Sequence, residues 1–182
     1  MSESLNRTDE ERRAALLIKY RELNVKKVER EGEKTIIHLS KGDKKIIMMC
    51  ISNQDTVGII YVRDLMSLGQ KGEVEELIMV GGGRYTYSAQ KIAGESGIEM
   101  IPSSLPSFDI FKHRLVPRHE VLSEEEKKAV LEEYHAEQHQ FPWIKMNDPI
   151  AIILGAKPGD IVKITRSSQT AGTYVSYRYV IK

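Results

Sequence analysis

Three strand-like runs in the first third of the chain constrain its fold more than any other feature. They are Val25–Arg30, Lys34–Leu39 and Lys44–Ile51. Glu31-Gly32-Glu33 and Lys41-Gly42-Asp43 separate the runs, and short polar segments with a central glycine have the chemistry of tight hairpin turns. The pattern therefore predicts two consecutive antiparallel hairpins.

Helices and further strands are predicted around these hairpins. The spacing of Thr8 and Glu11 is that of a capping box, with Thr8 capping and Glu11 reaching back, and a helix should follow to about Leu23. After the hairpins, the predicted elements are a helix over 57–68, a strand over 76–80, a helix over 86–94 and a strand over 97–101. This order predicts a small α/β domain with a mixed sheet over residues 1–102.

A change in composition separates the second half of the chain from the first. Pro102 and Pro106 lie in a serine-rich segment that excludes a continuing strand and predicts a stiff linker over 103–109. Residues 110–182 are then expected to form a second, small α+β domain. Its predicted elements are a helix from the Ser123 capping box to about Tyr134, a short helix between Asp148 and Gly155, and strands over 161–166 and 174–180.

The balance of charge limits the functions that are open to the chain. Its formal net charge is +1 over 182 residues. A free-standing nucleic-acid-binding protein usually has a strong basic excess, because phosphate neutralisation supplies most of its affinity. Any DNA contact is therefore expected to be local and held in place by another protein. The single cysteine, Cys50, and the polar N-terminus predict a soluble intracellular protein with no membrane partner.

Four strings in the second half carry a family resemblance. They are His113–His119, Asp148–Ala151, Gly155–Ile164 and Thr170–Gly172. In that order and spacing they resemble the assembly domain that makes up a small archaeal RNA polymerase subunit and forms the C-terminal half of the fifth subunit shared by the eukaryotic nuclear polymerases. The resemblance implies a non-catalytic subunit that docks on the largest polymerase subunit. Nucleotide addition, at a Mg²⁺ site, would then belong to the large subunits.

The same resemblance implies which residues meet the other polymerase subunits. They are His113, Leu115, Val116, Pro117, His119, Asp148, Pro149, Arg166, Thr170, Ala171, Gly172, Tyr177 and Arg178. The last two predicted strands have apolar residues on both faces, which suggests helices of the same domain on one side and a partner chain on the other. Trp143 is interpreted as core or interface packing. The protein would be cytoplasmic and nucleoid-associated in an archaeon and nuclear in a eukaryote.

Residues 25–101 resemble the restriction-endonuclease-like fold of the Mrr type. In active members, an acidic residue on the middle strand and a Glu/Gln-x-Lys triplet on the next strand bind a divalent metal and position the attacking water. The triplet position falls here on Cys50-Ile51-Ser52, and Thr35–Leu39 has no carboxylate. The resemblance therefore implies the fold without its chemistry, as in the N-terminal jaw domain of the eukaryotic polymerase subunit.

In that jaw domain, the loop that opens a helix lies near the downstream DNA duplex. The corresponding residues here are Gly83, Arg84, Tyr85, Thr86, Tyr87 and Ser88. Glycines would let backbone amides approach a phosphate, Arg84 adds positive charge, and Thr86 can cap a helix whose N-terminus attracts anions. The alternative is that the glycines only end a strand and that the tyrosines pack on the surface.

Two other functions stay open at this point. One is a metal-dependent nuclease with a rearranged active site that uses Asp43 or Asp55, and the other is a free-standing DNA-binding transcription regulator. His135 and His139 have the spacing of zinc ligands, but no cysteine or carboxylate set completes a site, so a solvated helix end is favoured. We expect no catalytic residue, cofactor or metal site in this chain.

Overall fold

The chain contains two compact units. The computed structural model describes residues 8–168 and 172–182. The boundary between the two units lies between Phe108 and Asp109. Both units combine helices with β-sheet, which confirms the predicted mixed α+β class. None of the described helices is long and apolar enough to span a bilayer.

The N-terminal unit alternates helices and strands along the chain. Its described elements are α1 (Asp9–Tyr20), β1 (Asn24–Glu31), β2 (Lys34–Lys41), β3 (Lys44–Ile51), β4 (Thr56–Val57), α2 (Ile59–Gly72), β5 (Glu76–Gly81), β6 (Arg84–Tyr85), α3 (Tyr87–Glu95) and β7 (Glu99–Ile101). Five of the strands form a sheet in the order β1-β2-β3-β5-β7. Strands β1 to β3 are antiparallel, as the hairpin pattern predicts, and β5 and β7 join in parallel.

Two glycines produce the hairpin turns of this sheet. Gly32 and Gly42 have φ angles of 60° and 57°. Side chains with a Cβ rarely adopt this left-handed conformation, whereas glycine adopts it without steric cost. These angles confirm the tight turns that the sequence predicts between β1, β2 and β3.

Helices cover both faces of the five-stranded sheet. Ile47, Met49 and Ile51 of β3 belong to one buried cluster with residues of α2 and α3. The alternate residues, Met48 and Cys50, are equally buried and face α1, because successive side chains of a strand point to opposite sides. The near-continuous apolar sequence of β3 follows from this burial on both faces.

The first helix begins at the predicted Thr8 cap. Thr8 caps it, and its side-chain oxygen accepts a hydrogen bond from the Glu11 amide at 3.2 Å. The Glu11 carboxylate has partners on the neighbouring strands. It is buried and accepts hydrogen bonds from Arg30 Nε and Thr35 Oγ1, each at 3.1 Å, so it ties the helix to β1 and β2.

The segment after the last strand of the N-terminal unit packs against that unit. Leu105 is buried, and its carbonyl oxygen accepts a hydrogen bond from Arg13 Nε of α1 at 2.7 Å. The compact unit therefore continues to Phe108, past the end of the predicted domain at residue 102 and through most of the segment predicted as a linker.

The C-terminal unit is built on a four-stranded sheet. Its described elements are a 3₁₀ turn (Ile110–Lys112), β8 (Arg118–Val121), α4 (Glu124–Tyr134), a second 3₁₀ turn (Gln138–Gln140), β9 (Trp143–Lys145), α5 (Pro149–Leu154), β10 (Ile161–Ser168) and β11 (Gly172–Ile181). The strand order is β8-β10-β11-β9. Strand β10 pairs antiparallel with β8 and β11, and β9 pairs parallel with β11.

The two helices of this unit lie on opposite faces of its sheet. On one face, Ile161 of β10 packs with Val130 of α4. On the other face, Val162 and Ile164 pack with Leu154, the last residue of α5. The cluster beside α5 is small, and part of that face stays open.

Capping residues mark the start of both helices, and a glycine marks the end of α5. Ser123 Oγ accepts from the Glu126 amide, and the Glu126 carboxylate accepts from the Ser123 amide, which completes the predicted capping box of α4. Asp148 caps α5, with Pro149 at its first position. Gly155 ends α5 with a φ of 72°, a conformation that favours glycine.

Candidate interface groove and DNA-proximal loop

A groove opens on the face of the C-terminal sheet that carries α5. We call it the open groove. Its volume is about 550 Å³, and its lining residues come from the segment before β8, from all four strands and from the start of α5. They are Leu115, Val116, Pro117, His119, Trp143, Ile144, Lys145, Asn147, Asp148, Ile150, Ile164, Arg166 and Arg178.

Strand register explains why these residues meet. His119 of β8 lies opposite Ile164 of β10, and Arg178 of β11 lies opposite Val162. Directly paired residues in antiparallel strands point to the same face. Arg166, two residues after Ile164, shares that face too, because side chains alternate along a strand.

The open groove unites seven of the residues that the family resemblance singles out. They are Leu115, Val116, Pro117, His119, Asp148, Arg166 and Arg178. They come from four separate stretches of the chain, and the antiparallel pairing of β10 with both neighbours brings three of these stretches together.

The other predicted contact residues that the structure describes lie outside the open groove. His113 precedes the groove, and its Nδ1 accepts a hydrogen bond from the Leu115 amide at 3.2 Å. Pro149 is exposed at the start of α5, and Gly172 is exposed at the start of β11. Tyr177 lies on the opposite face, where its ring packs edge-on against Tyr134 and Phe141. Thr170 and Ala171 are outside the described residues.

A hydrogen bond orients His119 in the groove. Its Nδ1 donates to the carbonyl oxygen of Pro117 at 2.8 Å, which defines the tautomer of the neutral ring. Burial lowers the pKa of His119 below its ordinary value, and the positive charges of Arg166 and Arg178 act in the same direction. The Pro117 hydrogen bond and the charge of Asp148 oppose this shift. His119 is therefore predominantly neutral at neutral pH.

Arg178 is oriented by the backbone of the edge strand. Its Nη1 donates to the carbonyl oxygen of Trp143 at 2.9 Å. The indole Nε1 of Trp143 donates to the His139 carbonyl oxygen at 3.3 Å, and the side chain is 61% exposed. Trp143 thus belongs to the surface and not to the core, and the interface part of its interpretation stays a prediction.

Six lining residues are absent from the contact set that the resemblance implies. Trp143, Ile144 and Lys145 form β9, and Asn147 and Ile150 surround the start of α5. Ile164 is the sixth. The alternation of β10 places Ile164 on the face of Arg166, so this residue had a detectable signal, whereas β9 has only three residues and no usable periodicity.

The predicted DNA-proximal loop lies at a second surface, in the N-terminal unit. Strands β4 and β6 pair in parallel there, with Thr56 opposite Arg84 and Val57 opposite Tyr85. Each strand leads directly into a helix. The cap residues Gly58 of α2 and Thr86 of α3 are therefore neighbours, and the N-termini of two helices lie side by side.

The residues of this loop have different environments. Arg84, Tyr87 and Ser88 are exposed, and Tyr87 is 80% exposed. Thr86 caps α3 and accepts a hydrogen bond from the Ala89 amide at 3.2 Å, as predicted. The Tyr85 hydroxyl points inward, accepts from the Gly81 amide at 2.7 Å and reaches the Ile101 carbonyl oxygen at 2.7 Å. Of the two tyrosines, only Tyr87 therefore lies at the surface.

Gly83 is required by close backbone packing. A Cβ at this position would lie 2.2 Å from the Asp55 carbonyl carbon and oxygen. The adjacent Arg84 amide donates to the Asp55 oxygen at 2.9 Å. Gly83 therefore holds the two loops together, and this contact explains its residue type without a ligand.

The positions of the nuclease triplet are buried. Cys50 is fully buried, and its pKa is raised by burial and by the nearby carboxylates of Glu11 and Glu10, so the thiol stays protonated. Ser52 is buried too, and its hydroxyl contacts Thr8 Oγ1 at 3.0 Å. Among the residues that the structure describes, no group of three or more histidine, cysteine, aspartate or glutamate side chains could hold a metal ion.

Comparison with known proteins identifies the family to which the C-terminal unit is similar. A family model described as RNA polymerase Rpb5, C-terminal domain, matches residues 108–180. DNA-directed RNA polymerase subunit Rpo5 of Pyrococcus abyssi is 59% identical over 75 residues, which cover 41% of this chain and 92% of that protein. The Rpo5 subunits of Sulfurisphaera tokodaii and Methanococcoides burtonii are 54% and 48% identical over 82 and 77 residues, or 45% and 42% of this chain and 98% and 99% of theirs.

These matches define the class of protein, which is a non-catalytic subunit of an RNA polymerase, as the sequence resemblance predicts. The chain belongs to the family of DNA-directed RNA polymerase subunit Rpo5. The match covers nearly the whole of each relative but less than half of this chain, so these relatives correspond to the C-terminal unit. The nuclease and free-standing regulator alternatives receive no support from the comparisons.

Proposed function

We propose that this polymerase subunit docks on the largest subunit through its C-terminal unit and that its N-terminal unit lies beside the downstream DNA duplex. The observation that carries the proposal is the open groove. It collects seven residues of the family resemblance on one face of a sheet, and that face is only partly covered by α5.

The opposite face is less suited to docking. Helix α4 covers it, with Val130, Phe141 and Tyr177 packed into a shared cluster. Docking at the open groove would bury apolar residues that are otherwise in contact with water, which is the main favourable term in protein association. The same docking would leave α4 exposed.

The N-terminal unit has features that suit it to lie near DNA. The adjacent N-termini of α2 and α3 each have a partial positive charge, and neither helix has an acidic residue in its first turn. Arg84 is exposed beside them. Phosphate groups favour such positions, and only a weak local attraction is needed when the polymerase itself keeps the unit in place.

We also propose that the N-terminal unit is a non-catalytic relative of the restriction-endonuclease-like fold. The mixed sheet with helices on both faces is compatible with that fold. The buried Cys50 and Ser52 at the triplet positions support the loss of its chemistry. On this interpretation the unit is an architectural jaw. Because the relatives are archaeal, the proposed location is the cytoplasm, in association with the nucleoid.

A fragment experiment tests the domain roles. Residues 108–182 alone should co-purify with the largest polymerase subunit, because relatives of about this extent exist as whole subunits. Residues 1–107 alone should not. Circular dichroism of both fragments controls for folding. Recovery of the largest subunit by folded 1–107, and not by folded 108–182, would reverse the assignment.

A further inference from the structure

We propose that the open groove receives an acidic segment of the partner polymerase subunit, with at least one apolar side chain beside its carboxylates. This inference rests on the proposed docking role and specifies the chemistry of the docked segment.

The charges of the groove favour an acidic partner. Three lining residues, Lys145, Arg166 and Arg178, carry positive charge, and one, Asp148, carries negative charge. The groove thus has a formal charge of three minus one, or +2, whereas the whole chain has +1. The positive charge is concentrated at this site and does not reflect a generally basic protein.

The one acidic group of the groove already has a partner within the protein. Asp148 Oδ1 accepts a hydrogen bond from the Ile150 amide at 2.9 Å, as the cap of α5. Its remaining charge lies close to the N-terminus of that helix, which attracts anions. Asp148 therefore opposes an incoming carboxylate less than a free surface aspartate would.

The two arginines are placed to bind a carboxylate. Arg178 is oriented through its Nη1 bond to Trp143, which leaves other guanidinium donors available. Arg166 is exposed and makes no hydrogen bond or ion pair within residues 8–168 and 172–182. A guanidinium binds a carboxylate through paired N–H donors, which makes arginine well suited to an acidic segment.

Apolar residues lie beside these charges. Leu115 is 75% exposed, and Val116, Pro117, Ile150 and Ile164 line the same groove. Exposed apolar groups that surround a polar site are typical of protein interfaces. Ile164 is already buried, but a purely acidic partner segment would leave Leu115 and the half-buried Val116, Pro117 and Ile150 in contact with water, which is why the proposal includes an apolar side chain.

The negative charge on the other face of the sheet disfavours the same acidic partner. Helix α4 has exposed glutamates at positions 124, 125, 132 and 133. Like charges across an interface oppose association. An acidic segment is therefore directed to the open groove, and this asymmetry provides a control surface.

The test uses polymerase purified without this subunit and the full-length chain with single substitutions. We expect Arg166→Glu and Lys145→Glu each to weaken binding about tenfold and to reduce its salt dependence, because each reverses a charge that faces carboxylates. The matched control is Lys128→Glu, on the exposed surface of α4, which should bind as the unsubstituted chain does. Thermal unfolding by circular dichroism confirms that the variants are folded.

A second pair of variants separates the chemistry of the segment from the docking role itself. Leu115→Asp should weaken binding, and Ile60→Asp, at a 69% exposed apolar position of the N-terminal unit, should not. If Leu115→Asp weakens binding while the charge reversals leave affinity and salt dependence unchanged, the docking role stands and the acidic segment is refuted. If none of the groove variants weakens binding, docking at the groove is refuted as well.

Discussion

One tyrosine hydroxyl joins three strands of the N-terminal unit. Tyr85 belongs to β6, and its oxygen accepts from the Gly81 amide of β5 and contacts the Ile101 carbonyl of β7. Burial raises the pKa of Tyr85 above its ordinary value, so the group keeps the proton that it donates. The hydroxyl therefore connects the predicted DNA-proximal loop to the main sheet.

Tyr85→Phe should lower the free energy of unfolding by about 1–3 kcal/mol, because it leaves buried backbone groups without their partner. Urea denaturation measures this change. The control is Tyr87→Phe, at an 80% exposed position, which should have the stability of the unsubstituted protein. Equal stability of all three proteins would contradict the role assigned to the Tyr85 hydroxyl.

Because the pKa of His119 is lowered, the stability of the C-terminal unit should depend on pH, and the direction of this dependence can be stated. The unfolded histidine titrates near 6.5, and the folded one below that value. Between the two values the unfolded state binds more protons, so this contribution to stability is complete above about pH 6.5 and is lost as the pH falls. The charged groups that face the ring are Asp148, Arg166 and Arg178.

An NMR titration of the His119 ring checks this prediction directly. In the isolated full-length protein, the midpoint should lie below 6.5. In the Arg166→Glu variant it should move up, because a cation that disfavours the charged ring becomes an anion. A midpoint at or above 6.5 in the unsubstituted protein would contradict the burial of the ring.

At the scale of elements, the contact between the loops that carry β4 and β6 is the most sensitive to substitution. Gly83→Ala would place a methyl group 2.2 Å from the backbone of Asp55, and backbone atoms cannot move aside cheaply. We expect a loss of about 3 kcal/mol or more in the free energy of unfolding, at the high end for single substitutions.

Gly94→Ala is the matched control for this substitution. Gly94 lies in α3, and a Cβ there has open space. Because alanine has the higher helix propensity, the variant should gain up to about 1 kcal/mol. Chemical denaturation of the two variants gives the comparison, and a Gly83→Ala protein as stable as Gly94→Ala would refute the close packing of the loops.

Elements with a local signal were predictable from sequence. Helix α4 begins at the Ser123 capping box, and β3 spans the predicted Lys44–Ile51. The short strands β8 and β9 were missed, because a strand of three or four residues is defined by its partner and not by its own pattern. The bonds of the Glu11 carboxylate to Arg30 and Thr35 were missed for a related reason, since both partners are distant in sequence.

The candidate site was predictable in part for the same reasons. The contact set that the resemblance implies contains seven lining residues of the open groove. Tyr177 and Arg178 are adjacent in the implied contact set, yet alternation along β11 places them on opposite faces. Only the strand pairing decides which of the two faces the groove, and sequence alone does not supply it.

At the scale of the whole molecule, the charge balance predicts how the free protein behaves with DNA. The isolated chain has a net charge of +1 and should bind duplex DNA weakly, with a shallow salt dependence, because few phosphates are neutralised. Fluorescence anisotropy over a salt series measures both quantities. Tight binding with a steep salt slope would contradict the proposal that the polymerase keeps this chain near DNA.

The burial of the only cysteine has a practical consequence. Cys50 lies inside the N-terminal unit, and no second thiol competes with it for a reagent. A maleimide or disulfide reagent can reach it only when that unit opens, so the modification rate under native conditions counts opening events of one half of the chain. The same measurement at Cys50 in the assembled polymerase would report whether assembly slows the opening of the N-terminal unit, without any engineered label.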